Sequence, residues 1–287
     1  MSKITHKVLI VSPVRNEALT LPILAESLSN LRGNFIGFWA IVENASTDDT
    51  LAVSERLKCS VPIGVSSIET TGNMNSAPEF KAFLHAADKY FNSDHSYTHI
   101  MKLDADVILD PNYFVNLFSI SDVIGMSGGP LAKEQTDTIP GAVKLYSRKA
   151  FELIQSFPIA LGFDVLDEIK VRQAGLPVEV NMNAKFDLLR ETATSQGILR
   201  GRKRSGKVCR WSGYSLLYFL LRLIRYTFKK PFIIGSLYMA AGYIFSGKGP
   251  FEKTLKRGYR RFQVNKLKFL LTHPNKFKKT YYSFRQI

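Results

Sequence analysis

The sequence predicts two regions: an α/β domain with a mostly parallel, helix-flanked sheet over residues 1–190, and a basic helical region over 191–287. Three observations lead there. Strand-like and helix-like segments alternate through the first 190 residues, which implies right-handed crossovers and parallel pairing. Three of the strand-like runs pass directly into polar clusters. Charge divides at the same boundary: 17 Lys and Arg against 22 Asp and Glu up to residue 190, then 22 against 2, so nets of −5 and +20 make up the total of +15.

In order, Lys7–Ser12 (KVLIVS) reads as the first strand, with the basic N-terminus a lead-in to it and not a cleaved signal. Residues 18–31 carry apolar positions at helical spacing and stop at Gly33. Phe38–Glu43 is the second strand, and Asn44–Thr50 supplies turn and cap residues for a helix over 49–58. Val61–Val65 is a third strand, 77–91 a helix, and His99–Leu103 a buried strand ending in Asp104-Ala105-Asp106. In open α/β sheets ligands bind beyond the carboxyl ends of the strands. The clusters SPVRNE, ENASTDD and DAD therefore belong at one edge of one sheet.

Composition narrows the classes. With 45% hydrophobic and 22% charged residues among 287, the chain is neither disordered nor collagen-like nor a solenoid. Its two cysteines, Cys59 and Cys209, exclude a disulfide scaffold and a cysteine zinc site, and fit a reducing compartment. The five histidines lack metal-ligand spacing, and no apolar run reaches the roughly 18 residues of a simple membrane span.

Beyond residue 190, RGRKRSGKVCR (200–210) reads as a basic loop. Tyr214–Phe228 and Phe232–Phe245 are aromatic-rich apolar helices, too short to span a bilayer and flanked by Lys and Arg. Helices that lie in the headgroup region have this character. The stretch 251–285 is basic and helical as far as His273-Pro274.

Asp104-Ala105-Asp106 carries the sharpest chemistry. Two carboxylates about one small residue can grip Mg²⁺ or Mn²⁺, whose shell phosphate oxygens and water complete. The ion would neutralise charge on a departing diphosphate; a solvated turn is the plainer account. Asn44 and Ser46 can meet a nucleobase edge, while Asp48 and Asp49 serve equally well as loop or helix caps. Arg15, Asn16 and Glu17 can contact base, ribose or phosphate, or else cap the helix at 18–31. Gly128-Gly129 allows positive φ, and Gly129 and Gly141 are candidates for close approach to a sugar.

Pro13–Glu17, Glu43–Thr50, Leu103–Asp106 with Pro111, and Gly162–Glu168 followed by Gly175 together resemble, in order and spacing, the family-2 glycosyltransferases over residues 6–185. The resemblance is to non-processive members that build surface polysaccharides or glycolipids. It implies a GT-A fold, a nucleotide-diphosphate sugar donor, a divalent metal on Asp104 and Asp106, and inversion at the anomeric carbon by attack of an acceptor hydroxyl. The donor site it implies takes in Pro13, Arg15, Asn16, Glu17, Asn44, Ser46, Asp48, Lys102, Ala105 and Gly129. Asp164 best matches the catalytic base, but Phe163 stands where the family has Glu, which leaves Asp167 and Glu168 as further candidates. Arg200, Arg202, Lys203 and Arg204 would fold over the diphosphate, or form a solvated linker.

The resulting expectation is a cytoplasmic enzyme, peripheral on the inner face of the membrane, acting on a glycan or lipid-linked acceptor. A nucleotidyltransferase is the enzymatic alternative, though SPVRNEALT has no phosphate-loop glycine. A non-catalytic membrane scaffold or a nucleic-acid binder is the other; tail aromatics set in Leu/Ile runs suit lipid better than bases.

Overall fold

A computed structural model of the chain describes residues 6–69, 77–120, 122–132, 136, 138–190 and 197–272. They form two compact units: Met1–Ser156 with Ala174–Arg190, and Phe157–Gln173 with Glu191–Ile287.

The first unit is built on β1 (Val8–Val14), β2 (Ile36–Asn44), β3 (Ile63–Ile68) and β4 (His99–Leu103), joined through α1 (Leu21–Ser29), α2 (Thr50–Arg56) and α3 (Pro78–Ala86), which continues as a π-helical turn, Ala87–Phe91. Then come β5 (Val107–Leu109), α4 (Tyr113–Ile120), β6 (Met126–Gly128), β7 (Val143–Ser147), α5 (Arg148–Ile154), and, after the segment that belongs to the second unit, β8 (Val178–Val180) and β9 (Phe186–Leu188). The main sheet runs β3-β2-β1-β4-β7-β6-β8. Its β3-β2-β1-β4 half is parallel throughout, whereas β7 is antiparallel to both β4 and β6.

Val8, Leu9, Ile10 and Val11 are all inaccessible, as a central strand covered on both faces requires. The core on one side gathers Leu21, Leu24, Trp39, Met101, Phe114 and Phe186, and Trp39 donates its indole N–H to Ser12 Oγ at 3.0 Å, so that buried polar group is satisfied. The parallel strands carry the three polar clusters to one edge, as the alternation predicts.

The second unit holds α6 (Phe163–Gln173), α7 (Ile198–Ser212), α8 (Leu216–Thr227), α9 (Phe232–Ile244) and α10 (Lys253–Thr272). Its composition differs from the linear division at 190/191, because α6 packs with the C-terminal helices. Phe157 meets Phe251 edge-on, Arg172 lies over the Phe262 ring, and Gly258 on α10 sits against Gln173 and Ile169.

The basic stretch 200–210 is corrected from loop to helix: it forms most of α7. Arg and Lys are good helix formers, and the glycine that looks like a breaker is required by packing. A Cβ on Gly206 would come within 1.9 Å of the Met239 carbonyl oxygen, and one on Gly242 within 1.9 Å of that of Lys203. The two glycines let α7 and α9 cross with backbones in contact, around a small core of Cys209, Phe219 and Met239.

Candidate functional site

The loops after β1 and β2 are laced together. Asn16, at φ 56°, donates its N–H to Ser46 Oγ (3.1 Å) and accepts at Oδ1 from the Thr47 N–H (2.8 Å). Asp48 accepts from the N–H groups of Ala18 (3.3 Å) and Thr50 (3.1 Å), and Glu17 N–H donates to Thr50 Oγ1 (2.7 Å). Glu43 accepts from the Ser46 N–H at 2.5 Å. Asn16, Ser46 and Asp48 thus shape the loops. Arg15 is exposed at the rim, Pro13 is half-buried, and Asn44 ends β2 in a buried position.

The Asp-x-Asp follows β4. Ala105 is buried in the core, while the side chains of Asp104 and Asp106 are 40% and 21% exposed. Lys102, buried in β4, donates its ammonium to Asp104 Oδ1 and to the Gly141 carbonyl (2.9 Å), and Asp104 N–H donates to the Ala142 carbonyl (2.9 Å). The turn before β7 therefore lies against the motif, because β4 and β7 pair with Leu103 opposite Val143.

Arg190 is the site residue that sequence reasoning missed. Its Nη2 donates to Glu17 Oε1 (2.5 Å) and Oε2 (2.7 Å), and its Nε lies 3.4 Å from Asp106 Oδ2. The antiparallel β5–β9 ladder sets Leu188 opposite Val107, and Leu189 N–H donates to the Asp106 carbonyl at 2.9 Å, which brings the next residue to the carboxylate. One guanidinium thereby ties the cluster after β1 to the cluster after β4. Burial, and next the Asp104 charge, hold the Asp106 carboxyl above its ordinary range, with Arg190 opposing them.

Two carboxylates repelling one another in a half-buried turn suit a hard divalent ion. Among the described residues no group of three His, Cys, Asp or Glu is arranged to hold a metal. Asp104 and Asp106 themselves offer two carboxylates, the hard oxygen donors that Mg²⁺ or Mn²⁺ takes in small number beside phosphate and water.

The remaining candidates are distributed elsewhere. Gly128 and Gly129 have no positive φ; a Cβ on Gly129 would meet the Ala184 carbonyl oxygen at 1.3 Å, so the close approach there is to this chain's own backbone. Asp164, Asp167 and Glu168 lie on α6 in the second unit: Asp164 is exposed, while Asp167 and Glu168 are buried, and Asp167 accepts from the Glu168 N–H at 2.7 Å. Arg200, Arg202 and Arg204 lie on α7; Arg200 is exposed, and Arg202 stacks over Tyr226 at 3.9 Å.

No family model matches the sequence, and no curated protein matches it. Among solved structures, the mannosyltransferase PcManGT from Pyrobaculum calidifontis, in complex with GDP-Man and Mn²⁺, is similar at TM-score 0.53 and 15% identity, over 96% of this chain and 84% of that one. S. aureus TarS 1-349 in complex with UDP is similar at 0.52 and 14% identity, over 94% and 74%, and its complex with UDP-GlcNAc gives 0.52 and 14% over 94% and 75%. The chain has the fold of these proteins. At this identity the likeness establishes the GT-A type of α/β architecture expected from the motifs, and the fold alone.

Proposed function

We propose that this protein is a glycosyltransferase that moves a sugar from a nucleotide-diphosphate donor to an acceptor hydroxyl with inversion, the acceptor being a glycan or a lipid-linked glycan. The observation that carries this reading is the gathering of three polar clusters at the carboxyl edge of β2, β1 and β4, with Asp104 and Asp106 at the end of β4 in a fold shared with sugar-nucleotide transferases.

The loops after β1 and β2, braced through Asn16, Ser46 and Asp48, form the floor for the base and ribose, with Asn44 and Arg15 as the contacting side chains. Asp104 and Asp106 would hold Mg²⁺ or Mn²⁺, which supplies charge neutralisation for the departing diphosphate. Lys102 and Arg190 fix the two carboxylates in place from either side, so the site needs little rearrangement as it fills. Of the three acids on α6, the family resemblance favours Asp164 as the base; it is exposed, whereas Asp167 and Glu168 are buried.

A thermal-shift panel of nucleotide diphosphates and nucleotide sugars, with and without Mn²⁺, tests the reading. Ligand at a hundredfold excess over its dissociation constant stabilises the folded state by about 2.7 kcal/mol. A metal-dependent shift with one base, absent in Asp106→Asn, is expected; no shift with any donor would remove the proposal.

A further inference from the structure

The hairpin of α8 and α9 has apolar residues on both of its faces. On the inner side Phe219, Leu223 and Tyr226 pack against Cys209, Met239 and Tyr243. On the outer side Leu217, Leu220 and Ile224 of α8, and Ile233 and Leu237 of α9, form stripes at helical spacing, each side chain between 47% and 62% exposed. The turn between the helices adds Phe228 and Phe232, 76% and 55% exposed. A helix facing water carries polar residues on its outer stripe, and an apolar surface of this extent marks a contact with something else.

Charge selects what that something is. No Asp or Glu occurs between Glu191 and Glu252, a stretch holding eleven Lys and Arg. At the hairpin tip Arg202, Arg222 and Lys229 surround the Tyr226 ring at 3.9, 5.6 and 5.7 Å, and Lys229 and Lys230 are exposed. A second copy of the chain docked on this surface about a two-fold axis would bring like charges together. Helices of 12 and 13 residues are about 18 and 20 Å long, well short of the roughly 30 Å hydrocarbon layer. No helix among the described residues is long and apolar enough to cross a membrane.

We infer that the α8–α9 hairpin docks on an anionic lipid surface, lying along it with the outer Leu, Ile and Phe side chains among the acyl-chain ends and the tip cations at the phosphates. This assignment stands on the second unit alone and is independent of the transfer reaction.

Vesicle flotation of the full chain tests it. The protein is expected to float with phosphatidylcholine vesicles containing phosphatidylglycerol, to remain below with phosphatidylcholine alone, and to release as NaCl is raised. Leu220→Glu with Leu237→Glu should weaken binding at least tenfold. Lys229→Ser with Lys230→Ser should weaken it about 30-fold. All four positions are exposed, and an unchanged circular dichroism melt will establish that the variants fold. In Phe232→Trp, indole emission should shift to the blue on adding anionic vesicles. Failure of the wild type to float at low salt overturns the proposal, as does undiminished flotation of the Glu pair. Lipid-free self-association abolished by the Glu pair would reassign the surface to a copy interface, and retention of RNA without vesicle binding would reassign it to nucleic acid.

Discussion

The candidate site of the first unit and the helices of the second handle positive charge in different ways. In the first, cations at the site are matched by this chain's own carboxylates: Lys102 with Asp104, and Arg190 with Glu17 and Asp106. In the second, cations lie over rings: Arg202 over Tyr226, Lys207 over Trp211 and Arg210 over Tyr243. A ring offers a quadrupole and no net charge, so the cation's field is left for an external anion. On the two proposals above, the first unit inserts an ion into an existing balance and the second recruits a surface.

The largest expected effect tests the balance. Asp106→Asn should lower transfer by about 10² to 10³, the scale of losing several kcal/mol of metal-dependent stabilisation. Stability should not fall with it. Burial and the Asp104 charge raise the Asp106 carboxyl, so its ionised form is the costly one at neutral pH, and a neutral amide relieves that cost. Steady-state transfer beside a melting curve at pH 7 separates the two; a joint loss would mean Asp106 is structural.

Acid should distinguish the units next. His99 is buried in β4 with Nε2 3.0 Å from the Val123 carbonyl, and burial pushes its pKa from 6.5 down to about 4. Between those values the unfolded chain takes up a proton that the folded one refuses. Stability therefore falls as pH drops through that window, by roughly 3 kcal/mol. No histidine lies in α7 or α9. Hydrogen exchange at pH 7 and pH 5 should show β4 losing protection while α7 and α9 keep theirs, and His99→Gln should flatten the dependence.

Arg190→Ala removes the link between the clusters after β1 and β4. As a positioning residue it should cost 10- to 100-fold in metal affinity, the range for groups that orient metal ligands. The half-saturating Mn²⁺ concentration should rise more than the maximal rate falls, with partial recovery in Arg190→Lys. An unchanged metal dependence would reduce Arg190 to a surface ion pair worth about 0–1 kcal/mol.

What the sequence made legible follows the reach of each interaction. The parallel strands and their polar ends are local patterns, and the topology carries them to one edge as expected. Arg190 was invisible because its partners lie 84 and 173 positions away, reached through a three-residue ladder with no motif of its own. The α7 helix was misread as a loop because Gly206 looks like a breaker when the backbone it admits, at Met239, is 33 residues on. The membership of α6 was hidden for the same reason: its packing partners, Gly258 and Phe262, come after all the motifs.

Backbone strain follows the same division, and it supports the smallest predicted effect. Among the described residues, those other than glycine with positive φ are Asn16, Ala45, Ala77 and Val123, all in the first unit; the second unit uses Gly162, Gly197, Gly213, Gly247 and Gly249. Gly213 closes α7 at φ 77°, and a Cβ there would meet Lys256 Cβ at 2.6 Å. Gly213→Ala should therefore cost at least the roughly 1–2 kcal/mol of a left-handed alanine. Ala45, at φ 48° directly after β2, already bears that cost. Ala45→Gly relieves it but adds about 0.5–1 kcal/mol of chain entropy, so stability should change by under about 1 kcal/mol, upward if at all. Strain of this kind persists where the surroundings hold a loop in shape for binding. If the loop after β2 receives the donor, the glycine variant should melt no lower than the parent yet bind the nucleotide more weakly, because a looser loop must be ordered at each binding event. Calorimetry of nucleotide binding beside the melting curve gives both numbers; equal affinity would show that the strain at Ala45 serves the fold alone.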